Sequence, residues 1–167
     1  MFKLLLNIIN SILPKTNTKV DNSYYMPTVA PKHLLIAEKE LGVTEISGNV
    51  HNKRILEYHQ ATELKATADE IAWCAAFVNW CLKQSGELGT LKANARSFLD
   101  WGVKVDKPAL GDVVVFWRGK KSGWQGHVAF YIEENSDAVK VLGGNQNNKV
   151  CYMWYPKNQV LGYRRLA

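Results

Sequence analysis

Apolar positions in the first half of the chain repeat with the period of an α-helix and predict three short helices. The first begins at Pro31, because proline fits the first turn of a helix, and it stops at Gly42. The second covers 52–59. The third runs over 73–85, and Gly86 follows as the residue that ends it. Its apolar face consists of Cys74, Phe77, Val78, Cys81 and Leu82.

After Gly111 the pattern changes to short apolar runs of the kind that form β-strands, separated by polar turns. The runs are DVVVFWRG, GHVAFYIEE, AVKVLGGN, VCYMWYP and VLGYRR. Successive strands joined by short turns form an antiparallel meander. Helices followed by such a meander predict a two-layer α+β domain, in which the helices pack on one sheet.

The first segment, 1–14, is apolar with its polar residues on a single helical stripe. Pro14 ends it well short of the roughly 20 apolar residues that a membrane-spanning helix needs. Three interpretations stay open: an amphipathic segment at a membrane interface, a degenerate export signal, and a helix packed on the domain. Residues 15–30 are polar and are predicted to form a linker to the folded domain, 31–167.

Composition and charge indicate a folded domain with an anionic partner. The 167 residues are 47% hydrophobic and include 6 tryptophans, a content that disordered chains lack. The net charge of +6 is compatible with nucleic acid, a membrane surface or a bacterial envelope. Acidic residues are interspersed with the basic ones and no nucleic-acid motif occurs, so we expect no nucleic-acid partner.

The cysteines Cys74, Cys81 and Cys151 are too few and too scattered for a disulfide framework. Neither H-E-x-x-H nor paired C-x-x-C occurs, so the sequence predicts no metal and no cofactor. Cys74 stands at the start of the third helix, where unpaired N–H groups and the helix dipole stabilise a thiolate. We therefore interpret Cys74 as a nucleophile and expect the other two cysteines in the core.

A catalytic thiol needs a base, and His127 is the best placed of the 4 histidines because it opens a strand. If 135–137 form a three-residue loop, cross-strand pairing brings Asn145 opposite His127. A four-residue loop would bring Gln146 there instead, and a two-residue loop Gly144. We expect Asn145 to orient the imidazole, with Gln146 as the alternative.

Other polar residues are candidates for substrate contact. Arg96 and Ser97 could bind a carboxylate, since arginine offers a bidentate fork, but a surface helix start explains them equally. Tyr58 could donate its hydroxyl to an oxyanion, and its spacing also fits core packing. The basic segment 118–121, close to Trp124, predicts either a solvated turn or an anion site.

Four segments resemble the CHAP (cysteine, histidine-dependent amidohydrolase/peptidase) and NlpC-type cell-wall hydrolases. They are WCAAFVNWCL, PALGDVVVFWRG, GHVAFY and LGGNQ, and they occur in the family's order within 31–163. The resemblance implies a papain-like fold in which the helix with the cysteine packs on the antiparallel sheet with the histidine. It also implies Cys74 as nucleophile, His127 as general base and Asn145 as the third polar residue, a position that varies in these families.

The resemblance further implies hydrolysis of amide bonds in bacterial peptidoglycan, as an endopeptidase or an N-acetylmuramoyl-L-alanine amidase, as in phage endolysins and antibacterial enzymes. The expected partners are peptidoglycan stem peptides and, through 1–13, an anionic envelope or membrane surface. We expect a monomer that acts in the bacterial cell envelope. Two alternatives stay open, namely a wall- or membrane-binding module without catalysis and an acyltransferase on the same fold.

Overall fold

The computed structural model describes residues 29–166, in which helices come first and strands follow. The segment 1–14 and most of the linker 15–30 lie outside the described residues, so their interpretations stay predictions. The helices are α1 (Lys32–Lys39), α2 (Lys53–His59) and α3 (Cys74–Ser85), with 3₁₀ turns at Ala95–Asp100 and Lys157–Gln159. The strands are β1 (Val103–Val105), β2 (Val113–Trp117), β3 (Gly126–Glu134), β4 (Ala138–Gln146), β5 (Lys149–Pro156) and β6 (Val160–Arg165).

The helices predicted from apolar spacing are confirmed, with small shifts at their ends. Helix α1 stops before Gly42, whose N–H leaves the helix direction and donates to the carbonyl of Val150 in β5. The side chain of Asn52 caps α2 by accepting from the N–H of Arg54 at 2.9 Å. Gly86 ends α3 in the left-handed conformation, at φ 91°.

The strands form one 6-stranded sheet in the order β1-β6-β2-β3-β4-β5, and every neighbouring pair is antiparallel. The expected meander runs from β2 to β5. The sixth strand does not extend the meander at that edge, because it crosses back and pairs with β2. The short strand β1, which the apolar pattern does not reveal, pairs with β6 at the far edge.

The helices cover one face of the sheet, and the α+β prediction is confirmed. Helix α3 packs on β3 and β4, and its residues share a core with Val128 and Phe130 of β3. Successive side chains of a strand point to opposite faces of the sheet, so the residues between these form a second apolar cluster on the other face. That second cluster contains Val114, Phe116, Ala129, Tyr131, Val139 and Val141.

Gly144 allows the start of α3 to lie directly on β4. A Cβ at Gly144 would lie 2.5 Å from Trp73 and 2.7 Å from Phe77. A Cβ at the adjacent Gly143 would instead lie 2.7 Å from Ala129 and 3.1 Å from the side-chain oxygen of Gln146. The missing side chain of Gly144 therefore lets the first turn of α3 contact β4, and that of Gly143 leaves room for the Gln146 side chain.

Candidate active site

Cys74 is the first residue of α3, and its side chain is almost fully buried. Its thiol lies beside the backbone N–H of Val128, the residue that follows His127 in β3, and beside the N–H groups of the first helical turn. Burial raises the pKa of the Cys74 thiol, and these N–H groups together with the charge of Arg118 oppose that rise. The helix start thus holds a thiol, with donors ready for the anion that forms when the thiol loses its proton.

His127 is buried, and its Nε2 lies 2.9 Å from Oε1 of Gln146. The amide nitrogen of Gln146 donates to the backbone carbonyl of Cys151, which fixes how the amide is turned. Oε1 must then be the acceptor, so Nε2 of His127 carries the proton and donates it to Gln146. The other ring nitrogen, Nδ1, consequently holds the lone pair.

Nδ1 of His127 is buried and has no hydrogen-bond partner within residues 29–166. Burial and, to a smaller extent, the charge of Arg118 lower the pKa of His127 to about 3, while the bond to Gln146 acts in the opposite direction. The imidazole is therefore neutral near pH 7. It presents an unshared base in the residue that precedes Val128, whose backbone N–H lies beside the Cys74 thiol.

The expected contact between Asn145 and His127 is wrong, and Gln146 makes it instead. Residues near the middle of the hairpin pair as predicted, with Phe130 opposite Leu142. Beyond Gly143, however, the pairing of β4 with β5 shifts at a bulge. Asn145 there takes a left-handed φ of 55°, and this breaks the side-chain alternation. Gln146 turns inward as a result and is fully buried.

Tyr155 of β5 holds the imidazole plane from the side. Its ring stacks on His127 with centroids 5.0 Å apart and on Phe116 with centroids 4.7 Å apart. The guanidinium of Arg118 lies beside the Tyr155 hydroxyl, and burial raises the pKa of that hydroxyl. Sequence reasoning assigned Arg118 only to a basic segment and missed Tyr155. Arg118 could have been linked to the site through strand pairing. Phe116 lies opposite His127, and residue 118 lies on the same strand face as residue 116.

Arg96 braces a loop and does not offer a fork to a substrate. Its Nε donates to the carbonyl of Gln125 at 2.9 Å, its Nη1 to Lys121 at 3.1 Å and its Nη2 to Lys120 at 3.3 Å. Ser97 donates its hydroxyl to the carbonyl of Asn94 at the start of the 3₁₀ turn. The helix-start interpretation therefore fits both residues better than substrate contact.

Tyr58 does not reach an oxyanion. Its hydroxyl donates to Oε2 of Glu40 at 2.6 Å, and its ring is fully buried between Trp73 and Trp80. The core-packing alternative is thus the correct one for Tyr58. Cys81 is buried in the same core as predicted, whereas Cys151 is half-buried and serves the site through its carbonyl.

Residues 29–166 hold neither a metal-binding cluster nor a membrane-spanning helix. No group of three or more histidine, cysteine, aspartate or glutamate residues in this range is arranged to hold a metal ion. No helix in the same range has the length and apolar character needed to cross a membrane.

A family model described as the CHAP domain matches residues 66–147. None of the curated proteins matches the chain. One similar solved structure is a protein from Staphylococcus aureus subsp. aureus Mu50, described as similar to lipoprotein and assigned to the NLP/P60 family. It has 15% sequence identity to this chain and a TM-score of 0.41. The alignment covers 74% of this chain and 45% of that protein. The family match confirms the resemblance that the sequence motifs carry.

Proposed function

We propose that this chain, with its CHAP domain over residues 66–147, hydrolyses amide bonds in the peptides of bacterial peptidoglycan. CHAP domains act on peptidoglycan, which gives the hydrolase class; the residues and the mechanism are our proposal. The observation that carries it is the hydrogen-bond chain from the Cys151 carbonyl through Gln146 to His127. This chain leaves a buried lone pair on Nδ1 of His127, and the N–H of the following residue, Val128, lies beside the Cys74 thiol.

Cys74 is the nucleophile in this proposal. As the thiol sulfur attacks the amide carbonyl, its proton passes to Nδ1 of His127, and Gln146 stabilises the imidazolium through Nε2–H. The carbonyl oxygen becomes an oxyanion, to which the N–H of Cys74 at the open start of α3 donates. The imidazolium then gives its proton to the leaving amine, and a thioester remains on Cys74.

Water completes the cycle. His127 takes a proton from the water molecule, and the resulting hydroxide attacks the thioester carbonyl. The C–S bond then breaks, the carboxylic acid leaves, and the imidazolium returns its proton to the sulfur to restore the thiol. Both partners are neutral at rest, because burial raises the pKa of Cys74 and lowers that of His127. The thiolate therefore forms during attack and is not stored as a resting ion pair.

We place this activity in the bacterial envelope, where the stem peptides are found, and the net charge of +6 supports adhesion to that anionic material. The test is digestion of purified sacculi under reducing conditions, followed by mass spectrometry of the fragments. The fragment masses distinguish an endopeptidase from an amidase that acts at the sugar-linked lactyl group.

The matched variants are Cys74→Ala and Cys81→Ala, which each remove one buried thiol from α3. We expect Cys74→Ala to release no fragments and Cys81→Ala to release the same fragments as the parent protein. Fragments from the Cys74→Ala protein would contradict the proposal. Binding of sacculi by the parent without any hydrolysis would instead support a binding module.

A further inference from the structure

Arg118 is an exposed cation at the mouth of the candidate site. It follows β2 directly, and in the pairing of β2 with β3 Phe116 lies opposite His127 and Trp117 opposite Gly126. Because residues two apart in a strand point to the same face, Arg118 continues the face that carries Phe116 and His127. The N–H of Arg118 donates to the carbonyl of Gln125 at 3.3 Å, so the pairing continues one residue beyond the strands.

The guanidinium of Arg118 is close to the reacting groups. It lies beside the hydroxyl of Tyr155, whose ring stacks on His127 at 5.0 Å. Its positive charge acts on both catalytic candidates. It opposes the rise that burial causes in the pKa of the Cys74 thiol, and it adds to the fall that burial causes in the pKa of His127. A negative group bound by Arg118 would therefore lie beside Tyr155, whose ring stacks on His127.

No carboxylate of residues 29–166 pairs with Arg118, in contrast to Arg54 and Arg165. Arg54 is bonded to Glu40 and Glu57, and Arg165 is bonded to Asp112. Arg96 uses its guanidinium on three backbone carbonyls. Arg118 is thus an exposed arginine beside the site whose charge the described protein does not neutralise.

The loop that begins with Arg118 is braced before any ligand arrives. The three bonds from Arg96 tie Lys120, Lys121 and Gln125 to the 3₁₀ turn. Gly126 permits this contact, because a Cβ there would lie 2.9 Å from the Phe116 carbonyl and 3.1 Å from Cγ of Arg96. A braced loop loses little conformational entropy on binding, which favours recognition by Arg118.

We propose that Arg118, together with the Tyr155 hydroxyl, binds a carboxylate of the substrate beside the amide bond that Cys74 attacks. This inference rests on the proposed function and adds a substrate class to it, namely peptides with a free carboxylate next to the cleaved bond. Arginine suits this role because its planar fork bonds both carboxylate oxygens. A substrate that carries a neutral carboxamide at the same place lacks this interaction.

The test uses two synthetic muropeptides that differ only in a carboxylate or a carboxamide on the residue next to the cleaved bond. We expect the parent protein to favour the carboxylate form by about tenfold or more in kcat/KM, mainly through KM. Arg118→Gln should abolish this preference, and Arg118→Lys should retain part of it. Lys121→Gln is the matched control, since it removes one positive charge from the same loop, and it should keep the full preference.

Two results would overturn the proposal: equal kcat/KM values for the two muropeptides in the parent protein, or an undiminished preference in a folded Arg118→Gln protein. Binding of both muropeptides to Cys74→Ala, measured by calorimetry, separates this question from hydrolysis. Stronger binding of the carboxylate form that disappears in Cys74→Ala/Arg118→Gln supports the proposal even if the parent cleaves neither compound. Equal binding of the two forms by Cys74→Ala counts against it.

Discussion

At the scale of single residues, one hydrogen-bond chain decides which nitrogen of His127 carries the proton and which holds the lone pair. The Cys151 carbonyl orients the Gln146 amide, and the amide in turn holds the proton on Nε2 of His127. Without this acceptor the buried Nε2–H would lose its partner, and the imidazole would be free to change tautomer. In the proposed mechanism, Gln146 is therefore a positioning residue for the base.

The first prediction compares Gln146→Ala with Asn145→Gly. We expect Gln146→Ala to lower kcat by about 10- to 100-fold with little change in KM, because a buried bond worth about 1–3 kcal/mol is lost. Asn145→Gly should change kcat less than about twofold, since glycine accepts the left-handed φ of 55° and the Asn145 side chain does not bond His127. Steady-state kinetics on a soluble muropeptide measures both values. A larger loss in Asn145→Gly than in Gln146→Ala would contradict the assignment.

Sequence reasoning proposed Cys74 and His127 because each stands at a position with a local signature, a helix start and a strand start. It ranked Gln146 only as the alternative to Asn145, because the choice between them depends on a bulge in β4. The bulge follows from the pairing of β4 with β5, and a hairpin count along β3 and β4 contains no information about that pairing. Tyr155 lies in β5 and contacts His127 through the same strand pairing. The sequence therefore did not reveal this contact either.

At the scale of elements, the site depends on how closely α3 approaches β4. Gly144 lies under Trp73 and Phe77, the residues on either side of the Cys74 turn. Any side chain at this position pushes the helix start away from the strand that ends in Gln146. The approach of the Cys74 turn to β4 is thus set by a residue without a side chain.

The second prediction is that Gly144→Ala destabilises the fold by about 1–3 kcal/mol and lowers kcat, because overpacking displaces the start of α3. Gly162→Ala is the control, since its added Cβ would lie 3.5 Å from Leu99, an ordinary contact. Denaturant unfolding gives the free energies, and kinetics on the same samples gives kcat. A Gly144→Ala protein as stable and active as the parent would show that the contact tolerates a methyl group.

Apolar spacing predicted the helices and most strands, since period and turn residues are local properties of the sequence. It did not predict β1, which is short and mostly exposed and so lacks an apolar pattern. Nor did it place β6 between β1 and β2. The alternation of apolar and polar residues along a strand indicates which face of the sheet each residue occupies. It contains no information about which strands are neighbours, so the strand order is known only from the structure.

At the scale of the whole molecule, stability depends on pH because two histidines are buried in their uncharged form. Burial lowers the pKa of His127 from 6.5 to about 3, and burial also lowers the pKa of the fully buried His59. Between these values the unfolded chain binds protons that the folded chain excludes. Acid therefore favours unfolding, and the stability that neutral burial provides is lost as the pH falls from about 6.5 toward about 3.

The third prediction is that the free energy of unfolding decreases between pH 7 and pH 5, by up to about 2 kcal/mol for each such histidine. Denaturant titrations at the two pH values measure the change. His127→Gln should reduce the decrease, because glutamine does not titrate, and His59 should account for much of the remainder. A free energy of unfolding that rises on acidification would show that these side chains become charged within the fold.

The hairpin of β4 and β5 has a consequence for how the candidate site can diversify. Cys151 and Tyr155, which orient Gln146 and stack on His127, both lie beyond residue 147, where the family match ends. Substitutions in this edge strand reach the imidazole without altering the motifs that identify the family. Related chains with the same cysteine and histidine are therefore free to differ in the strength of their base, and β5 is the segment to redesign when that strength is to be tuned.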